Sequence, residues 1–161
     1  MPAMVSSTKK QSQKTFFSTR LLYSLYSFSI VKSQQHRLTL RVLPQEFAVC
    51  RLAADARLPQ WAGRGAVSSV TRTDDELSIV CESRYVPRSV KSERGWRCCK
   101  LEGPFPFAMT GVLASVLGPL ANAGVSIFAM STYDTDHVLV KKKELAKAVK
   151  ALKAAGHSLN G

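Results

Sequence analysis

From residue 110 onward, hydrophobic and polar positions repeat with periods that assign the elements in turn. Val112, Leu113, Val116, Leu117 and Leu120 fall at i, i+1, i+4, i+5 and i+8, one face of a helix that Thr110 can cap. Asn122-Ala123-Gly124 stops this helix, and Pro119 removes one backbone bond near its last turn. The β-rich run Val125-Ser126-Ile127-Phe128-Ala129-Met130-Ser131 follows. A polar turn, Tyr133-Asp134-Thr135-Asp136, and a short strand, His137-Val138-Leu139-Val140, complete a predicted hairpin. A second helix is expected from Lys143 to Ala155, with Leu145, Ala148, Val149 and Leu152 on one face and Gly156 as its C-terminal cap.

Residues 67–80 have the form of the same hairpin. Shifted by sixty residues, Asp74 falls on Asp134, Glu76 on Asp136, Ile79 on Leu139 and Val80 on Val140, which predicts two copies of one supersecondary unit. Residues 46–53 and 94–102 would supply a strand ahead of each copy. The second copy then reads strand, helix, strand, strand, helix, strand. In the first copy the helical slots, Arg57 to Gly63 and Pro87 to Glu93, are short and contain prolines, so that half is trimmed.

Composition changes the picture mainly at the N-terminus. The net charge is +12, yet residues 1–45 hold seven Lys/Arg and no acid, while residues 46–161 hold sixteen basic and eleven acidic side chains. Residues 1–35 keep no helix or strand period, and with His36 they form a basic extension, 1–36, ahead of a trimmed half, 37–102, and a second half, 103–161. Within the extension, Lys9, Lys10, Lys14 and Arg20 precede the apolar run 21–31, imitating a secretory signal, but no small-x-small cleavage site follows. Its Ser-rich, acid-free composition fits an organellar transit peptide, or a disordered upstream extension; otherwise the cytoplasm is the expected compartment. The uncharged stretch from Gly103 to Tyr133 is long enough to span a bilayer, but Pro104, Pro106, Gly111 and Gly118-Pro119 divide it, so no membrane span is expected.

Cys50, Cys81, Cys98 and Cys99 have neither CxxC nor disulfide-framework spacing and read as small apolar packing residues in a reducing compartment. On a strand, Cys98 and Cys99 would face opposite sides. His36, His137 and His157 are scattered, so neither a metal centre nor a cofactor is expected. No nucleophile stands in a recognisable spacing to a base, which argues against an enzyme. Nucleic-acid binding is the alternative class, and it rests on Trp96 with Arg94, Arg97 and Lys100.

The segment from Gly124 to Lys141, GVSIFAMSTYDTDHVLVK, resembles the signature of small tandem ACT-domain proteins related to the CASTOR-type arginine sensors and the aspartokinase ACT region. Phe47–Leu52, Ser69–Thr73 and Arg94–Lys100 resemble the same family. The resemblance implies an α+β, ferredoxin-like βαββαβ ACT fold, in tandem with a trimmed first copy. It also implies a non-catalytic regulatory module, a homodimer, and a small-molecule ligand, an amino acid, held where a strand-to-helix loop faces a neighbouring unit. Carried over residue by residue, Thr132, Tyr133 and Asp136 form one wall and Gly111 and Val112, at the helix start, the other. His137 departs from the aromatic residue expected at its position.

Elementary electrostatics agrees with that placement. A helix N-terminus after the Gly103-Pro104-Phe105-Pro106 loop offers N–H groups to a carboxylate, while Asp134 and Asp136 offer negative charge to an ammonium or guanidinium. Phe105, Phe107 and Tyr133 can cover the carbon skeleton of such a zwitterion.

Overall fold

The structure, a computed structural model, describes residues 36–161. The signal, transit-peptide and extension expectations for residues 1–35 lie outside the described residues. Seven strands and two helices follow in the order β1 (Thr39–Leu52), β2 (Ser69–Arg72), β3 (Leu77–Glu82), β4 (Ser92–Leu101), α1 (Val112–Asn122), β5 (Ile127–Ser131), β6 (Asp136–Lys141), α2 (Leu145–Ala154) and β7 (Ser158–Asn160). The strands form one sheet ordered β2-β3-β1-β4-β6-β5, with β7 pairing parallel to the start of β1. From β4 to β7 the chain reads βαββαβ, the element order of the ferredoxin-like ACT fold, with β1 in place of β7 beside β4 and β7 paired to β1. The first half has no α-helix between its strands, as its prolines foretold.

β1 begins seven residues before the predicted start at 46 and joins both halves, pairing with β3, β4 and β7. Pro44 looks like a stop in the sequence, yet the strand passes through it at an irregularity between Val42 and Glu46, where the pairing with β4 slips. A proline is tolerated there because no ladder hydrogen bond is asked of it.

One face of the sheet carries both helices. Val112, Val116 and Leu120 of α1 and Ala148 and Leu152 of α2 pack onto Leu40, Cys99, Leu101, Val138 and Val140. Along the same face of the first half, Ala48, Cys50, Leu77, Ile79 and Cys81 are covered by loop residues Ala62 and Val86. The opposite face, free of helices, gathers Phe47, Val80, Trp96, Cys98 and Leu139, with Val67 from the loop before β2 packed against them. Cys98 and Cys99 lie on opposite faces, and all four thiols are free and buried. Burial raises their pKa values, to about 12 for Cys98 and about 11 for Cys81 and Cys99.

Both helices end as the sequence predicts. Gly124 and Gly156 have positive φ, and the N–H groups of Val125 and His157 reach back to the carbonyls of Leu120 and Leu152. The start of α1 differs: Gly111, with φ 81°, is the N-cap and supplies no side-chain hydrogen bond, so Thr110 does not cap the helix. The second helix is preceded by a 3-10 turn over Lys142–Glu144.

Pro119 sits inside α1 and cannot donate to the Ser115 carbonyl one turn earlier. His157 takes its place. The Leu38 N–H donates to His157 Nδ1 at 3.2 Å, which leaves Nε2 as the protonated nitrogen, donating to the Ser115 carbonyl at 3.0 Å. A buried imidazole thus ties the helix to the segment entering β1 and to the segment entering β7.

The two hairpins are built alike, but the offset between them is not sixty. Val70 pairs with Ile79 and Ala129 with Val138, an offset of 59. The turns agree, since the Thr73 N–H donates to the Glu76 carbonyl and the Thr132 N–H to that of Thr135. A shift of one residue moves a strand side chain to the other face, so Ile79 corresponds to Val138 on the helix face, not to Leu139. The counterpart of Asp136 is accordingly Leu77, not Glu76.

Candidate functional site

The β5–β6 turn and the loop that feeds α1 meet at one end of the sheet. The Phe105 N–H donates to the Asp134 carbonyl at 2.9 Å, and the Thr135 hydroxyl donates to the Leu101 carbonyl at 2.5 Å. Phe107 packs edge-on against Tyr133 with ring centroids 5.0 Å apart. Threonine at 132 closes the turn, because its hydroxyl donates to the Thr135 carbonyl and accepts from the Thr135 N–H. Phe107 and Tyr133 are 78% and 79% exposed, an aromatic pair open to solvent. The loop therefore holds α1 and the acidic turn in a fixed relation.

The six residues expected at the site fall into three settings. Gly111 caps α1 in the left-handed conformation, and Val112 beside it is buried in the core beneath the helix. Tyr133 stands on the exposed turn, and the Asp136 carboxylate accepts a hydrogen bond from the Ser131 hydroxyl across the hairpin. Thr132 and Asp134 line a cleft of about 710 Å³ on the helix-free face, together with Arg41, Lys100, Thr135 and His137. Gly111, Val112, Tyr133 and Asp136 are not among the residues lining that cleft.

Three further polar residues shape this face: His137, marked in the sequence as a departure from the expected aromatic residue, Lys100, named there only for nucleic-acid binding, and Glu82, which the sequence did not mark. Lys100 is half-buried and forms no ion pair among the described residues. His137 is only 5% exposed, and its Nδ1 has no hydrogen-bond partner among the described residues. Burial lowers the His137 pKa, the Lys100 charge lowers it further, and Asp136 opposes them. Glu82 is buried, with Oε1 accepting from the Ala66 N–H at 2.9 Å and Oε2 lying 2.8 Å from Arg84 Nε. Gly65, with φ 103°, leaves room for that carboxylate, since a Cβ there would sit 2.7 Å from Glu82 Oε1. Its signal in the sequence is only a glycine before a short strand.

Of the four residues behind the nucleic-acid alternative, all but Lys100 are otherwise engaged. Trp96 is buried, and Lys141 Nζ lies 4.2 Å from its ring centroid. Arg94 donates to the carbonyls of Ser83, Val86 and Pro87, and Arg97 to that of Leu43. The indole is not free to stack on a base.

A family model described as ACT domain matches residues 91–154, and a second model, of an N-terminal domain, matches residues 45–89. The crystal structure of protein Atu0741 from Agobacterium tumefaciens is 45% identical, with a TM-score of 0.74, over 78% of this chain and 93% of that one. The chain belongs to the ACT-domain family. The regulatory subunit of aspartate kinase from Thermus thermophilus, 11% identical, has the same fold with a TM-score of 0.51 over 70% of this chain and 93% of that one. The cytosolic arginine sensor for mTORC1 subunit 1 of Homo sapiens is 34% identical over 58 residues, which is 35% of this chain and 18% of the sensor. Among the curated relatives the match spans 18–24% of their length. No helix among the described residues is long and apolar enough to cross a membrane.

Proposed function

We propose that this chain is a non-catalytic regulatory module that binds a free amino acid between the start of α1 and the β5–β6 turn, and that it acts in the cytoplasm. The observation that carries this reading is the pinned loop. Its hydrogen bond to the Asp134 carbonyl holds a helix N-terminus that lacks a side-chain cap near an acidic turn. The first N–H groups of α1, with the helix dipole behind them, favour the ligand's carboxylate. Asp136, across the turn, favours its cationic group, and Tyr133 and Phe107 supply apolar cover. Likeness to an arginine sensor supports an amino acid as the ligand. The exposed aromatic pair supports a homodimer in which a second copy completes the site.

A thermal-shift screen against the proteinogenic amino acids tests the reading. A true ligand at a hundred times its dissociation constant adds about 2.7 kcal/mol of stability. For that ligand, Asp136→Asn should weaken calorimetric affinity by about tenfold to a hundredfold, the loss of one hydrogen bond to a charged group. Its effect on melting should be small, because Asp136 supports only the Ser131 hydroxyl. Unchanged affinity together with a large loss of stability would make the residue structural and remove it from the site.

A further inference from the structure

The helix-free face carries a row of basic side chains that the preceding reading does not use. Strand register sets Arg41 on β1 directly opposite Lys100 on β4, and Lys100 directly opposite His137 on β6. Arg41 and Lys100 are like charges at directly opposed positions of neighbouring strands, so the pair costs stability unless an anion lies over it. Glu102 neutralises one end, its Oε1 lying 2.9 Å from Arg41 Nε. Lys100 has no such partner among the described residues, and next to it the imidazole of His137 is buried with Nδ1 unpaired. All three side chains line the cleft of about 710 Å³, whose one carboxylate among the described residues is Asp134. That volume lies within the range of small-molecule sites.

We propose that this row is a second binding site, taking the carboxylate of a small organic acid on Lys100 and Arg41, with its carbon skeleton against Leu43, Pro44 and Val67. Arg41 already carries Glu102 as its counter-ion, so Lys100 is the one unpaired cation of the wall among the described residues, which matches a monoanion better than a doubly charged phosphate. The apolar side is built, not incidental. Residues 65–68 form that wall, and the buried Glu82 carboxylate anchors it through the Ala66 N–H. The site lies on the face opposite α1 and shares with the amino-acid reading only the β5–β6 turn, through Thr132 and Asp134.

The test is a titration of the full chain with sodium butyrate at constant ionic strength, followed by NMR of the His137 ring and the Lys100 ε-methylene. Saturable shifts of both groups are expected, with Lys100→Gln weakening the affinity by about tenfold. Ser68→Glu, on the exposed wall, should weaken it equally with no change in melting, which guards against a misfolded Lys100 variant. Asp136→Asn should leave butyrate binding unaltered, so failure here is separable from failure of the amino-acid site. Equal affinity for inorganic phosphate would overturn the assignment, leaving only attraction of any anion. So would butyrate affinity that survives both Lys100→Gln and Ser68→Glu, or shifts that do not saturate.

Discussion

At the scale of single residues, His137 couples the sheet to pH. Its folded pKa lies below the ordinary 6.5, chiefly through burial and then through the Lys100 charge, with Asp136 acting the other way. As pH falls through 6.5 the unfolded chain takes a proton that the folded chain still refuses, so the unfolded state gains. The contribution is therefore complete above 6.5 and is lost as pH drops toward the folded value. His137→Phe should reduce the acid-side fall in melting temperature between about pH 7.5 and pH 5, while the curves converge in shape above that range. An identical fall in both proteins would place the titration elsewhere. The sequence marked His137 as a departure from the expected aromatic residue, but not its neighbours. Lys100 lies thirty-seven residues earlier, and only the β4–β6 register sets the two side by side.

At the scale of elements, the bond that Pro119 removes is replaced from outside the helix. His157→Ala would strand both the Ser115 carbonyl and the Leu38 N–H in a dry environment, at about 1–3 kcal/mol for each group. Pro119→Ala restores an N–H that can reach Ser115 within the helix. The double variant should thus be destabilised less than the two single changes add up to, and a denaturant double-mutant cycle measures the difference. Strict additivity would mean that His157 and Pro119 do not serve the same carbonyl. Pro119 and Gly156 were both legible in the sequence, since each acts on its own local backbone. The imidazole between them was not, because its partners come from the residue before β1 and from α1. The hairpin repeat failed for a related reason. Acid-for-acid matching of the turns favours sixty, whereas strand pairing and face fix 59, and only burial distinguishes the two. The acidic turn, the helix start and the loop ahead of it were legible as a candidate site because each is marked by its own local residues. The helix-free cleft was not, because it draws on β1, the loop before β2, β4 and β6.

At the scale of the molecule, the sheet has two outer edges of different character. β2 is four residues long and ends in Arg72, whereas β5, Ile-Phe-Ala-Met-Ser, carries no charge along its length. An uncharged edge invites another strand unless something covers it, and β5 lies beside the exposed Tyr133–Phe107 pair. A two-fold axis along β5 would extend the sheet into a second copy and bury both aromatic pairs against their symmetry mates, since such an interface uses the same patch twice. Homodimers should therefore dominate in sedimentation experiments at micromolar concentrations. Phe107→Asp places a charge at the centre of that patch on a side chain that contributes little to the core, being 78% exposed. Dimer affinity should fall by about two orders of magnitude, in line with loss of an aromatic anchor at an interface, while the far-UV spectrum and monomer melting stay unchanged. If the dimer persists in Phe107→Asp but is broken by a proline at Ala129, the edge alone carries the association and the aromatic pair remains free for ligand. A chain that sediments as a monomer with and without its amino acid would leave the site one-walled, and the ligand would then have to be held by α1 and the turn of a single copy.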